Sequence, residues 1–510
     1  MDEAIILDFG SQYTQLIARK IRELGVFSTI LPFNTSIAQL KKKRPAALIL
    51  SGGPQSVYEE RSPAVSLEIF RMGTPILGIC YGLQLMVHLL GGKVLPSKER
   101  EYGPASLRVL ERCGLLSGVK DRSQVWMSHG DRVEKVPAGF IISGRTRNTR
   151  AAVVESRREK LYGVQFHPEV IHTQDGKRIL SNFIFRLSGL KPEWSIGSFI
   201  ERKVQEIREL VGKKKVICGL SGGVDSLVTS LLVHKAVKDN LYCIFIDNGL
   251  LRKGQYKELM KKFREQLSLN VVGVDSSERF LAGLKGIISP EKKRKLIGEL
   301  FVRIFAEQAR KIGSVRFLAQ GTIYPDVIES NPVKGPSSVI KSHHNVGGLP
   351  RHLPFALIEP LRELFKDEVR VLGRKLGVDE DLISQHPFPG PGLAVRIVGE
   401  VTPERIRILR EADSILLQEV KREKVYRKLW QAFVVLLPVR SVGVMGDRRT
   451  YQRVVAIRLV QSVDGMTANW YPASPEILTR ISNRIVNEVE GVNRVVYDIT
   501  TKPPGTIEWE

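Results

Sequence analysis

The segment Gly78-Ile79-Cys80-Tyr81-Gly82 constrains this chain more than any other. It ends a short apolar run, residues 75–79, and precedes a helical pattern over 83–90. A thiol with glycine two residues away on each side, between strand and helix, predicts a nucleophile elbow. Such a turn is strained, and a side chain at either glycine would block it. The helix that follows points its amino end at Cys80 and favours the thiolate. The runs 4–8 and 46–50 are also short and apolar, and each ends in a polar or glycine-rich turn. Strands alternating with helices predict a largely parallel sheet with ligands at the carboxyl ends of its strands. Ser51-Gly52-Gly53-Pro54 and Cys80 then share one rim.

A lone buried cysteine is as a rule structural. Here a distant His167-Pro168-Glu169 supplies a base and a carboxylate to orient it, which is the division of roles a nucleophilic triad requires. Backbone N–H groups of Tyr81 and Gly53 are the candidate donors to a developing oxyanion. His129, in Met127-Ser128-His129-Gly130-Asp131, reads either as a turn histidine or as pocket lining and receives no catalytic role. These residues predict a thiol that cleaves an amide.

A second signature, Ser221-Gly222-Gly223-Val224-Asp225-Ser226, follows a strand over 215–219 and opens a helix. Its glycines let backbone N–H groups approach a phosphate, with Ser221 and Ser226 as hydroxyl donors. Asp225 would repel phosphates by itself, so it predicts a bridging Mg²⁺. No GxxxxGK[ST] sequence occurs, so the site is not of the Walker type. The next strand, 241–246, ends at Asp247, 247 − 225 = 22 residues after Asp225. That spacing suits a ribose contact or a capped turn equally well.

The 510 residues are enough for about three domains. Apolar residues make up 43% and no apolar run reaches membrane-spanning length. No leader pattern opens the sequence. The four cysteines are scattered without a CxxC, which argues against a disulfide framework or zinc site and for a reducing, cytoplasmic setting. The formal charge of +24 fits either a nucleic-acid binder or an enzyme of polyanionic substrates. No basic tail or aromatic-rich stretch supports the former, so neither nucleic acid nor membrane is expected as a partner.

The first third resembles the class I glutamine amidotransferases. The likeness rests on Asp8-Phe9-Gly10-Ser11-Gln12-Tyr13, Ser51-Gly52-Gly53-Pro54, residues 78–82 with Gln84, residues 127–131 and residues 163–169. The resemblance implies glutamine as the amide and Cys80, His167 and Glu169 as the triad. The 221–226 loop resembles that of the N-type ATP pyrophosphatases, which cleave ATP between its α and β phosphates. Where that family often has Ser or Thr after the loop, this chain has Leu227. Further on, Lys341-Ser342-His343-His344-Asn345, Glu359-Pro360-Leu361, Lys366-Asp367-Glu368-Val369-Arg370, residues 386–393, residues 443–447 and residues 502–510 are similar to the GMP synthase family.

That resemblance implies synthesis of GMP from XMP, with ATP and glutamine as co-substrates. Glutamine yields ammonia, XMP is adenylated at its C2 oxygen, and ammonia displaces AMP. The implied XMP contacts are Arg294, Pro389, Gly390, Gln431, Asp447, Lys502 and Glu508. Arg294 and Lys502 suit phosphate, and Gln431 and Glu508 suit purine edges. Residues 324–350 read as a long loop, and the resemblance implies that Lys341 closes over the nucleotide from it. Gln255 stands where relatives often have an acid.

The expected fold is two doubly wound α/β domains, 1–190 and 191–385, followed by a small α+β domain, 386–510. By resemblance the last makes XMP contacts and a homodimer interface. The competing readings are a PP-loop tRNA-modifying ligase and a non-catalytic nucleic-acid binder. The former needs sulfur-carrying cysteines, whereas Cys218 and Cys243 lie in apolar strands.

Overall fold

The computed structural model describes residues 2–330, 355–462 and 467–510. They form two compact units that divide after Phe199.

The first unit is built on one nine-stranded sheet. Its strands are β1 (Glu3–Asp8), β2 (Phe27–Pro32), β3 (Ala47–Leu50), β4 (Ile76–Ile79), β5 (Lys93–Val109), β6 (Ser123–Lys135), β7 (Ile141–Arg145), β8 (Val153–Ser156) and β9 (Leu161–Val164), in the order β2-β1-β3-β4-β9-β8-β7-β5-β6. Strands β2 to β9 of that order pair in parallel, and from β9 onward the pairs are antiparallel. β3 and β4 are buried at every position, as parallel strands covered on both faces must be. Gly78 of β4 pairs with Gly163 of β9. A Cβ at Gly78 would lie 2.6 Å from the Leu83 nitrogen, and one at Gly163 would lie 2.4 Å from Leu83 Cδ1. The two glycines therefore let helix Tyr81–Leu89 lie close against the sheet.

The second unit holds two sheets. The parallel one comprises β10 (Lys215–Leu220), β11 (Leu241–Asp247), β12 (Val271–Asp275), β13 (Val315–Ala319) and β14 (Ala356–Ile358), ordered β12-β11-β10-β13-β14. The chain enters at β10, builds outward through β11 and β12, then returns to the other side at β13. The crevice at this reversal is where ligands bind in open α/β sheets, and the 221–226 loop leaves β10 there. The second sheet pairs β15 (Gln431–Met445) with β16 (Arg448–Gln461), which also carries β17 (Asn469–Trp470) and β18 (Val492–Tyr497). Helices Pro403–Arg422 and Pro475–Glu488 pack on it. One continuous apolar core runs from Ile217 and Ile244 through Leu409 and Leu416 to Ile457 and Leu459.

The α/β architecture with a strand-rich terminal module is the one expected. Two details differ. Residues 324–330 are a helix, Tyr324–Ser330, and not the start of a loop. The long antiparallel β5–β6 ribbon was not foreseen at all.

Candidate active sites

Cys80 follows β4 at φ 51° and ψ −105°, a conformation that costs a non-glycine residue strain and sets the thiol, 5% exposed, at a strand-to-helix corner. The corner is fixed on both sides. Cys80 N–H donates to Val164 O at 2.8 Å and Gly82 N–H to Ser51 O at 3.1 Å. A Cβ at Gly82 would stand 2.3 Å from Leu50 O, so only glycine fits. His167 follows β9 on the neighbouring strand. Its N–H donates to Trp126 O (3.0 Å) and its carbonyl accepts from Thr173 Oγ1 (2.6 Å). Its Nδ1 lies 2.7 Å from Glu169 Oε1, and the Cys80 sulfur is near enough to act on the ring's charge. Burial pushes the imidazole pKa down, but the Glu169 carboxylate and the Cys80 sulfur outweigh it and hold the ring well above the ordinary histidine range. The geometry thus favours imidazolium beside sulfur.

The rim loop of Gly52 and Gly53 lies against this group. A Cβ at Gly52 would be 3.2 Å from His167 Cε1, and one at Gly53 would be 2.9 Å from Phe9 O and 3.2 Å from the Tyr81 ring. Tyr81 opens its helix, so its N–H has no intrahelical acceptor. Gln165 was overlooked in the sequence. Its Nε2 lies 3.7 Å from Cys80 Sγ, which in turn is 3.6 Å from Ser128 O. Gln165 lies between the end of β9 and His167, within the 163–169 stretch that the sequence marks. His129 is buried, with Nδ1 2.8 Å from Asp131 O and Nε2 3.5 Å from Glu101.

In the second unit the 221–226 loop is held open by its own hydroxyls. Ser226 Oγ accepts from Ser221 N–H at 3.2 Å and lies 3.0 Å from Ser221 Oγ, which accepts from Gly223 N–H at 3.3 Å. Gly222 takes φ +81°, and a Cβ there would also lie 2.8 Å from Leu259. Val224 starts helix Val224–Val237. Leu227 is 2% exposed, so the departure from the family hydroxyl supplies core packing. Asp225 has divided partners. Oδ2 pairs with Lys366 Nζ at 2.6 Å, while Oδ1 is buried without a hydrogen-bond partner. Magnesium typically takes one or two carboxylates plus phosphate oxygens and water, and one open oxygen beside a phosphate loop fits that pattern. No cluster of three or more His, Cys, Asp or Glu suited to a metal occurs among the described residues. Asp247 caps a turn, accepting from Gly249 N–H at 2.9 Å.

The loop opens on a cavity of about 1830 Å³, also walled by Arg294, Lys366, Pro389 and Gly390. Single-ligand pockets run to about 300–1,000 Å³, so there is room for two. Lys292, Lys295, Arg370 and Lys421 add positive charge to the wall and account for part of the basic surplus.

Three family models match the chain: "Glutamine amidotransferase class-I" over residues 5–187, "NAD synthase" over 195–304 and "GMP synthase C terminal domain" over 418–509. The GMP synthase [glutamine-hydrolyzing] of Carboxydothermus hydrogenoformans is 56% identical over 508 residues, covering 100% of this chain and 99% of its own. Those of Brachyspira hyodysenteriae and Maridesulfovibrio salexigens are each 54% identical with the same coverage. The chain belongs to the glutamine-hydrolysing GMP synthases.

For a GMP synthase the residues expected at XMP are unevenly placed. Arg294, Pro389 and Gly390 are on the cavity wall. The 388–392 loop offers fewer N–H groups than its length suggests. Pro389 and Pro391 have none, and Gly392 N–H is spent on Pro389 O at 2.8 Å. Gln431 and Glu508 are together but satisfy one another at 2.6 Å, with Glu508 also held by Arg396 at 2.9 and 3.1 Å. Arg294 donates to Glu510 O. Lys502 pairs through its backbone with Ala468. Asp447 occupies the exposed tip of the β15–β16 hairpin at φ 61° and is not on the cavity wall. Lys341 lies outside the described residues. Gln255 now has an explanation: its Oε1 accepts from Arg252 N–H at 3.1 Å, as a carboxylate would.

Two checks follow from burial. Cys218 and Cys243 pair across β10 and β11. Burial raises both thiols, Cys243 to about 12. In the native protein a thiol reagent should label the exposed Cys113 and spare these two until unfolding, which mass spectrometry reads directly. His386 stacks on Tyr426 at 3.8 Å, accepts from Ala432 N–H on Nδ1 and faces Tyr426 O with Nε2 at 2.9 Å. Burial lowers its pKa from 6.5 to about 4. The unfolded chain therefore binds a proton there at higher pH than the native one. Stability is full above pH 6.5 and declines as pH falls towards 4, by up to ~3 kcal/mol. His386→Asn, which keeps an acceptor, should lose less Tm than the parent between pH 7 and 5.

Proposed function

We propose that this enzyme makes GMP from XMP, spending ATP and drawing nitrogen from glutamine. The Cys80 thiolate attacks the amide carbon. Backbone N–H groups at Tyr81 and Gly53 stabilise the oxyanion, and His167 protonates the departing ammonia while Glu169 fixes its ring. Water then cleaves the thioester to glutamate. In the second unit the 221–226 loop cradles the ATP phosphates. XMP O2 attacks the α-phosphorus and pyrophosphate leaves. Ammonia then adds at C2 and AMP departs with O2. Asp225 would hold Mg²⁺, which when bound offsets phosphate charge.

The observation that carries this reading is the coexistence of the Cys80–His167–Glu169 group with an open phosphate loop beside a cavity sized for two ligands. We assign residues 1–190, 191–385 and 386–510 to amidotransferase, ATP pyrophosphatase and XMP-contacting modules. A homodimer is supported by the exposed apolar residues Val439, Val442, Val444 (75% exposed) and Tyr451 along β15 and β16. A dimer would also give Asp447 a role in presenting the hairpin tip to XMP. No helix among the described residues is long and apolar enough to cross a membrane, and the free thiols support a cytoplasmic setting. The test is amide-¹⁵N glutamine with XMP and ATP. Label at the exocyclic 2-amino group of GMP, with AMP and pyrophosphate formed, supports the proposal. Unlabelled GMP, or no GMP, overturns it.

A further inference from the structure

Two charged side chains on the cavity wall have hydrogen-bonding capacity that the protein does not use. Arg252 and Asp413 both line the cavity. Arg252 Nε stands 3.4 Å from Asp413 Oδ2, yet neither atom has a hydrogen-bond partner, and Arg252 Nη2 also has none. Asp413 is 1% exposed, and its other oxygen accepts from Val434 N–H at 3.2 Å. A buried polar atom without a partner is a penalty that a fold carries for a reason.

The pair is held rigidly. Leu250 N–H donates to Asn248 Oδ1 and Arg252 N–H to Gln255 Oε1. Arg410 grips the carbonyls of Gly249 and Leu251 at 2.9 and 2.8 Å. The Arg252 guanidinium lies 5.2 Å from the Phe388 ring centre, as does that of Arg396. Burial lowers the Arg252 pKa, Asp413 opposes that, and Arg396 adds to it. With Nε and Nη2 unused by the protein, the guanidinium is pre-set to donate to an oxygen.

We propose that Asp413 and Arg252 read the edge of the acceptor purine, Asp413 Oδ2 accepting from N1–H and Arg252 donating to O2. The inference rests on XMP being the substrate. The xanthine edge runs acceptor, donor, acceptor through O6, N1–H and O2. A carboxylate beside a guanidinium matches the N1–H and O2 half of it. Arg252 follows β11, the neighbour of the strand that carries the phosphate loop, so it meets the oxygen that turns towards ATP. IMP lacks O2, and GMP places an amino donor against the guanidinium. The same pair therefore selects substrate and weakens product binding.

Equilibrium dialysis of XMP, IMP and 1-methyl-IMP against the full chain without ATP tests this. Arg252→Gln should reduce the preference for XMP over IMP about tenfold or more, and Arg252→Lys should do so less. Asp413→Asn should weaken XMP and IMP alike by about tenfold and leave 1-methyl-IMP, which has no N1–H, unchanged. If the Arg252 variants bind every nucleotide proportionally more weakly, or bind as the parent does, the two residues only shape the wall and the inference is overturned. The Arg252 variants decide the matter even if Asp413→Asn fails to fold. Failure of the parent enzyme to convert XMP would refute the proposed function instead, a separate outcome.

Discussion

Cys80→Ala should abolish GMP formation from glutamine and leave GMP formation from added ammonia within a few-fold of the parent. The loss with glutamine is expected to be on the order of 10⁴-fold or more, because a nucleophile and its base act as one unit. The elbow is a local structure of the first unit: its hydrogen bonds run from Cys80 N–H to Val164 O and from Gly82 N–H to Ser51 O. The alanine variant keeps these, and the phosphate loop lies in the second unit. Loss of both activities would break the division of labour between the two sites. Glu169→Gln adds a pH test. Glu169 is the main force holding the His167 pKa up against burial. In the parent the imidazolium persists well above the ordinary histidine range, so glutaminase activity should hold into alkaline pH. Removing the carboxylate lowers the histidine pKa and should shift the alkaline limb to lower pH. A limb that stays in place would remove Glu169 from the role proposed for it.

What the sequence reveals depends on whether chemistry and periodicity agree. The parallel strands are legible because every residue of β3 and β4 is buried and apolar. The β5–β6 ribbon is not, although β6 alternates buried and half-buried positions from Ser123 to Val133. Its inward face holds Ser123, His129 and Asp131 beside Val125, Met127 and Val133. Polar groups on that face interrupt the apolar period that would mark a strand, and they do so next to the candidate thiol site. The candidate thiol and phosphate sites stand out in the sequence because each is a compact motif at a strand end. Lys366, 141 residues from Asp225 in sequence, could be found only by folding the chain. The same holds for Arg252 and Asp413, whose unused hydrogen bonds leave no trace in spacing. Asp247 illustrates the limit in another way, since spacing left two readings open and a single 2.9 Å bond shows the turn.

Asp225→Asn should suppress XMP-dependent formation of AMP and pyrophosphate by about 10³-fold while glutamine hydrolysis at Cys80 persists. The magnitude follows if Asp225 holds a cation worth several kcal/mol of charge stabilisation. Asparagine fills the same space but removes the charge that answers Lys366 and puts an NH2 donor in place of one of the two oxygens, of which Oδ1 is used by no protein group. The loop's internal bonds between Ser221, Gly223 and Ser226 do not involve Asp225, so its shape should survive. Lys366→Met separates two explanations of any loss. If Asp225 serves only to anchor Lys366, the two variants should fail to the same degree and the double variant no further. If Asp225 also holds the cation, Asp225→Asn is the worse of the two, and its apparent affinity for Mg²⁺, measured by titration with ATP present, falls when that of Lys366→Met does not. The products decide the chemistry independently of either variant. A loop without the Walker lysine and with its acid at the helix start is suited to gripping a leaving pyrophosphate. Release of ADP and phosphate by the parent enzyme would therefore contradict cleavage between the α and β phosphates and the adenylated intermediate that depends on it.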